Sequence, residues 1–226
     1  MKIIKQSCSW EQKPPQDTLQ ILERAGRTCY KSECLITDDS AKKFIQTIKD
    51  KNHASVLEHI SASVRFITDR GVTHELVRHR LASFSQESTR YCNYQKDKFG
   101  NEIAVILPKR FYEIYEFLCS DTAEQLTGEQ WNLCARYENW KTGCLDAERN
   151  YFAALESGDT AQEARDLLPN SLKTEIVTST NLREWIHIFN LRTSKAAHPQ
   201  MRDLMLGCLK MFQEAVPVLF DDIAKQ

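Results

Sequence analysis

Two arginines flank a histidine at Arg78-His79-Arg80; seven residues separate them from Ser88, and Arg90 and Tyr91 lie just beyond. A guanidinium keeps its charge at any physiological pH and pairs bidentately with phosphate or carboxylate oxygens. The imidazole adds a group that can hold or release a proton. On a helix end, three consecutive side chains fan across roughly 200°, so they cannot all serve one small contact. Several parts of a ligand, or several subunits, would have to meet there. The stretch from Ser83 to Arg90 reads as a loop of hydroxyls and backbone N–H groups, a common way to cradle phosphate. A solvated basic helix end would carry the same residues, and the chemistry alone leaves the two readings balanced.

The bulk numbers narrow the ligand. Net charge is −1 over 226 residues, yet Arg65, Arg70, Arg78 and Arg80 fall within sixteen positions. A local cationic patch on a balanced chain suits a small anion, whereas a duplex-binding domain is more often basic overall. Eight cysteines include no C-x-x-C pair and no zinc-like doublet, so they read as reduced thiols and no metal is expected. No apolar run approaches the ~18 residues of a membrane span, and Met1-Lys2-Ile3-Ile4-Lys5 lacks a signal-peptide core. A cytoplasmic protein with no membrane partner is the expectation. None of the seven glycines forms G-x-G-x-x-G, so no Rossmann fingerprint is present.

The elements that must position these residues follow from period and punctuation. Asp17 is placed to cap a helix with Leu19, Leu22 and Ala25 on one face and Gly26 as its stop, and Ser40 to Asp50 reads as a second helix with Phe44, Ile45 and Ile48 inward. Ile60, Ala62, Val64 and Phe66 alternate with polar residues as in a half-buried strand. Asp69-Arg70-Gly71 turns the chain into a helix expected from Val72 to about Leu81. Ile103 to Leu107 is a short strand closed by Pro108.

Thr127 and Gln130 are spaced as a capping box for a long helix with Trp131, Cys134, Tyr137, Cys144, Tyr151 and Leu155 recurring, ended by Gly158. Asp159 to Leu168 is a short helix, and Ile176 to Thr180 is rich in β-formers. Asn181 with Glu184 gives a second capping box. On the helix behind it Arg183, His187 and Asn190, at i, i+4 and i+7, form a polar stripe opposite Leu182 and Phe189. That stripe also fits simple amphipathicity. Pro199 opens a final amphipathic helix. The fold class read from this is α+β: one helix-rich domain over residues 1–226 around a central, mainly antiparallel sheet.

Three blocks, in order, resemble the flavin-dependent thymidylate synthases: His53-Ala54-Ser55-Val56-Leu57-Glu58-His59, then Arg78-His79-Arg80 with Ser88-x-Arg90, then Asn181-x-Arg183 with Arg192. With Arg165 ahead of Pro169, the resemblance spans about residues 25 to 205. It implies reductive methylation of dUMP to dTMP. The carbon donor would be 5,10-methylenetetrahydrofolate, the hydride carrier FAD and the reductant NADPH, in a homotetramer with sites between subunits. By the same resemblance dUMP would be met by Glu75, Arg78, Gln86, Glu87, Ser88, Thr89, Arg90, Arg165 and Arg192. FAD would be met by His53, Ser55, Glu58, Arg78, His79, Arg80, Gln86, Asn181, Arg183 and His187. Arg192 matches the residue that ionises the pyrimidine at N3, and as a permanent cation it would stabilise charge without taking the proton.

His59 reads as a structural histidine. No Pro-Cys-His element of the unrelated cysteine-dependent synthases is present. The chain departs from many relatives at Ala196, where they carry a histidine; His198-Pro199 follows instead. Two rivals are a nucleic-acid-binding module built on the Arg-rich segment and a hydrolase using Ser88 with His79. The first lacks a second basic stripe. The second lacks a G-x-S-x-G elbow, and its base would sit among cations that depress its basicity.

Overall fold

The computed structural model describes residues 1–120 and 127–224. In chain order they form strands β1 (Lys2–Ile4), β2 (Ser7–Gln12), β3 (Ser61–Asp69), β4 (Ser83–Gln86), β5 (Ala104–Ile106) and β6 (Lys173–Asn181). The helices are α1 (Thr18–Thr28), α2 (Ser40–Asp50), α3 (Arg70–Leu76), α4 (Tyr112–Leu118), α5 (Gly128–Glu156), α6 (Ala161–Ala164), α7 (Leu182–Arg192), α8 (Pro199–Ala215) and α9 (Pro217–Phe220). Helices dominate around an antiparallel sheet in the order β2-β3-β6-β4, as the α+β reading expects. The chain resolves into two compact units: Met1–Gln6, Ile67–Glu75 and Gln86–Glu175 form the first; Ser7–Phe66, Leu76–Ser85 and Ile176–Gln226 form the second.

In the second unit Ala62, Val64 and Phe66 on β3 are sequestered as the alternation expects, but Ser63 between them is buried too, its hydroxyl sharing a 2.6 Å hydrogen bond with that of Ser179. Helix α7 lies on that strand, with the indole N–H of Trp185 donating to the Ala62 carbonyl at 3.1 Å. Trp185, Phe189, Phe212 and Phe220 interlock with ring centroids 4.9 to 5.9 Å apart. Four buried aromatics at these spacings carry much of the unit's apolar burial and fix how α7, α8 and α9 meet. Helix α7 is therefore a rigid mount for whatever polar groups it presents outward.

The first unit pairs β1 with β5 in parallel, Ile3 opposite Val105. Its long helix α5 starts at the expected box: the Thr127 hydroxyl accepts from the Gln130 N–H while the Gln130 side chain accepts from the Thr127 N–H. Tyr137, Cys144 and Tyr151 are its buried stripe. Trp131 does not join them; it is largely exposed, because six residues before Tyr137 it points about 120° away around the helix.

Other expectations need correction. Gly26 is not a stop: α1 runs on to Thr28, and a Cβ on Gly26 would lie 2.7 Å from the ring of Phe44 on α2. The glycine marks a close approach of two helices. Asp17 stands at the N-cap of α1 without a side-chain cap bond. The helix expected from Val72 to Leu81 is α3, which begins at Arg70 and ends at Leu76. Asp69 starts it by accepting from the Val72 N–H at 2.8 Å. Asp159 to Leu168 is only α6 followed by a 3-10 turn, Arg165–Leu167, after a capping box between Thr160 and Glu163.

Candidate active site

Because α3 ends at Leu76, the Arg78-His79-Arg80 triplet stands on a turn in the second unit. Its side chains do diverge: Arg78 and Arg80 are exposed, while His79 between them is buried. The buried ring meets α7. Nε–H of Arg192, the last residue of that helix, donates to Nε2 of His79 at 3.0 Å. The Glu184 carboxylate lies 3.6 Å from Nδ1 on the other side of the ring. His187 packs edge-on, its ring centroid 6.0 Å away. Burial first, then the charge of Arg192, lowers the imidazole pKa to about 4. His79 is thus neutral near pH 7, with Nε2 as acceptor.

Asn181 caps α7 by accepting the Glu184 N–H at 2.9 Å. This is one half of the expected capping box. The Glu184 side chain faces His79 instead of turning back to the cap, since a buried carboxylate gains more from an imidazole N–H beside a guanidinium than from one backbone donor. The polar stripe is as expected: Arg183, His187 and Asn190 are all exposed. Arg183 pairs with Glu58 from the 3-10 turn Ala54–His59. Ser55, on the same turn, and His53, just before it, are exposed. Beside the stripe a cavity of about 270 Å³ is walled by Ile48, Leu57, Ile186 and Leu219 together with Arg183 and Asn190. Exposed cations next to an apolar-walled space suit a ligand that is anionic at one end and aromatic at the other.

The remaining candidates belong to the first unit. Ser83 to Gln86 is not loop but strand β4, and the chain turns only after it. The Gln86 amide donates to the hydroxyls of Thr73 and Thr174 at 3.0 and 3.2 Å. The Glu87 carboxylate accepts from the Tyr94 hydroxyl and from Lys173, both at 2.9 Å. Burial, then the Glu87 carboxylate, pushes the Tyr94 phenol well above its ordinary range. Burial alone would lower Lys173, but its bonds to Glu175 and Glu87 outweigh that and raise it. Glu87 is therefore tied inward, which fixes the start of the turn that follows.

In that turn the Ser88 hydroxyl accepts from the Arg90 N–H at 3.3 Å, and the Ser88 carbonyl accepts from the N–H groups of Tyr91 and Cys92. Arg90 is exposed, its Nε–H donating to Gln162 at 2.8 Å. Arg165 is also exposed, Thr89 is buried, and Glu75 is half-buried at the end of α3. Exposed guanidiniums and a hydroxyl-bearing turn are groups able to bind a phosphate.

Sequence reasoning placed Glu184 only as the capping partner of Asn181 and passed over two groups that the structure brings to these positions, Lys173 and Tyr94. Those two had no signal, since their pairing with Glu87 is a tertiary event. His198, considered as a substitute for the absent histidine at Ala196, caps α8 through Nδ1, which accepts from the Gln200 N–H at 3.3 Å.

Known proteins were compared with this chain. The family model described as thymidylate synthase complementing protein matches residues 13–218, a span drawing on both units. A flavin-dependent thymidylate synthase of Corynebacterium aurimucosum is 34% identical over 227 residues, covering 96% of this chain and 85% of that protein. One from Geobacter sulfurreducens is 30% identical over 207 residues, covering 88% and 78%. Among solved structures, thymidylate synthase X of Helicobacter pylori, determined with FAD and dUMP, superposes with a TM-score of 0.72 over 98% of this chain and 100% of its own. At 24% identity that likeness speaks for the fold.

Proposed function

The chain belongs to the flavin-dependent thymidylate synthase family, and from that premise we propose that it converts dUMP to dTMP by reductive methylation. The carbon comes from 5,10-methylenetetrahydrofolate and the reducing equivalents from NADPH. Bound FAD supplies the hydride chemistry. The groups that would hold the flavin are Arg78, Arg80, Arg183 and His187 with Ser55, Glu58 and His53. Their exposed cations fit a pyrophosphate, and the neighbouring apolar-walled cavity fits an aromatic ring system.

The residues of this chain have three tasks. Arg90 and Arg165, with the turn that follows Gln86, hold the nucleotide phosphate; Gln86 and Glu87 set that segment through their own inward bonds. Arg192 stabilises the negative charge that builds on N3 and O4 of the pyrimidine as C5 becomes nucleophilic. His79 leaves the guanidinium charged and anchored, because a neutral imidazole accepts a proton-bearing donor without competing for the proton. The observation that carries this reading is the 3.0 Å bond from Arg192 to a buried His79: a fixed cation costs no reorganisation at the moment charge develops.

Assembly as a homotetramer with sites shared between chains, a cytoplasmic location and a reaction free of metal complete the proposal. The test is the absorption spectrum of the purified protein. It should show flavin bands at one FAD per chain that bleach on anaerobic addition of NADPH. Protein that is colourless and takes up no added FAD contradicts the reading.

A further inference from the structure

We propose that Glu184 is a positioning residue for Arg192, acting through His79; this deepens the thymidylate-forming reading and rests on it. The three groups form a line across the face of α7. Glu184 and Arg192 are eight residues apart on that helix, about 12 Å of axial rise, and the His79 ring enters between their side chains from the turn after α3. Nε2 accepts from Nε–H of Arg192 at 3.0 Å, so its lone pair is committed there. A neutral imidazole carries one proton, and it must then be on Nδ1. Nδ1 is the edge that faces the Glu184 carboxylate at 3.6 Å.

That carboxylate is nearly out of solvent, with a side chain 10% exposed beside a His79 ring 4% exposed. A buried carboxylate needs donors or an opposing charge. Among the described residues its side-chain partner is His79, and beyond that ring stands the Arg192 cation. The negative group thus reinforces the Nδ1–H tautomer that the Arg192 bond requires and holds the ring plane, and the ring holds the guanidinium. Glu184 does not touch substrate in this arrangement; it determines where the charge of Arg192 sits.

A metal set is the competing use of the same atoms. His79, Glu184 and His187 each offer a ligand atom, and these atoms lie within 4.8 Å of one another. The guanidinium bonded to His79 opposes it: a dication would have to share the cluster with a fixed positive charge and take the Nδ1 edge that now carries the proton. The geometry favours the line in which Arg192 bonds to His79 and the Glu184 carboxylate faces its other edge.

The experiment uses the full-length FAD-loaded enzyme and its Glu184→Gln and Glu184→Met variants. Gln is isosteric and keeps an oxygen facing Nδ1, whereas Met fills the space without an acceptor. Expected is a graded loss of kcat for dTMP formation, modest for Gln and on the order of 10²-fold for Met, the scale of a small displacement of a catalytic group. KM for dUMP should stay within about two-fold and the flavin spectrum should be retained. The imidazole 15N signals of His79 should show Nδ1 protonated and Nε2 bare in the wild type, and Met should lose that single-tautomer pattern.

Wild-type kcat in both variants overturns the proposal. So does Nε2 protonation in the wild type, stoichiometric zinc bound through His79 and Glu184, or parallel loss of flavin, KM and thermal stability in Gln. Should Met fail to fold, Gln and the wild-type 15N signals decide the question. A wild-type enzyme that forms no dTMP contradicts the functional reading instead, and the 15N signals still judge the tautomer.

Discussion

At the scale of single residues, the separation of binding from chemistry rests on Arg192. Arg192→Ala removes the charge proposed to face the pyrimidine but leaves the exposed Arg78, Arg80 and Arg183 in place. We expect FAD to be retained and kcat at saturating dUMP to fall about 10²- to 10³-fold, the cost of losing one preorganised charge stabiliser. Arg78→Ala should instead weaken nucleotide or flavin binding, seen as a raised KM or lost colour. Cys92 is half-buried against Tyr94 and its neighbours, where it serves as packing. Cys92→Ala should leave dTMP formation within about a few-fold of wild type once FAD is saturating; a drop of ~10³-fold in a folded, FAD-bound variant would require a nucleophilic thiolate. The residue types in the motif were legible from the sequence, as was the divergence of three consecutive side chains. Which of the three turns inward was not. It depends on where α3 stops and on the space beside α7, and neither leaves a trace in the local pattern.

At the scale of elements, long periodic segments were readable and short polar ones were not. Helices α2, α5, α7 and α8 follow from their apolar spacing and caps. Strands β2 and β4 escaped because Ser7–Gln12 and Ser83–Gln86 are mostly polar and take their conformation from neighbours in the sheet. The cap of α7 gives a check at this level. Asn181 is among the residues proposed to meet the flavin, and its side chain is also the acceptor for the Glu184 N–H. Asn181→Ala should therefore cost about 1 kcal/mol of stability, measured by denaturant unfolding. Asn181→Asp, which keeps a cap acceptor, should recover most of it. An Asn181→Ala protein as stable as wild type would mean that the cap contributes little to α7.

At the scale of the whole molecule, the buried neutral His79 makes stability depend on pH. Its pKa is lowered from 6.5 to about 4. Between those values the unfolded chain binds a proton that the folded one refuses, so stability is fully present above about pH 6.5 and is lost as pH falls toward 4. At about 1.4 kcal/mol per unit, the loss is roughly 3 kcal/mol. Burial of the ring is the main cause, the charge of Arg192 comes second and His187 third; the Glu184 carboxylate faces the ring from the other side. We expect His79→Gln to flatten the acid limb of a urea-midpoint profile over that window, and an unchanged limb would place the titrating group elsewhere. Light scattering should give a homotetramer near four times 26.2 kDa, and a fully active monomer would contradict sites shared between chains.

The measurement that bears most directly on the proposed activity is product formation itself. Purified FAD-loaded protein is incubated anaerobically with dUMP, 5,10-methylenetetrahydrofolate and NADPH, and the nucleotide pool is resolved by mass. We expect dTMP to accumulate in proportion to enzyme, to depend on each of the three added substrates, and to fall at least ~10²-fold with Arg192→Ala. Flavin-bound protein that binds dUMP and oxidises NADPH yet yields no dTMP would contradict the account.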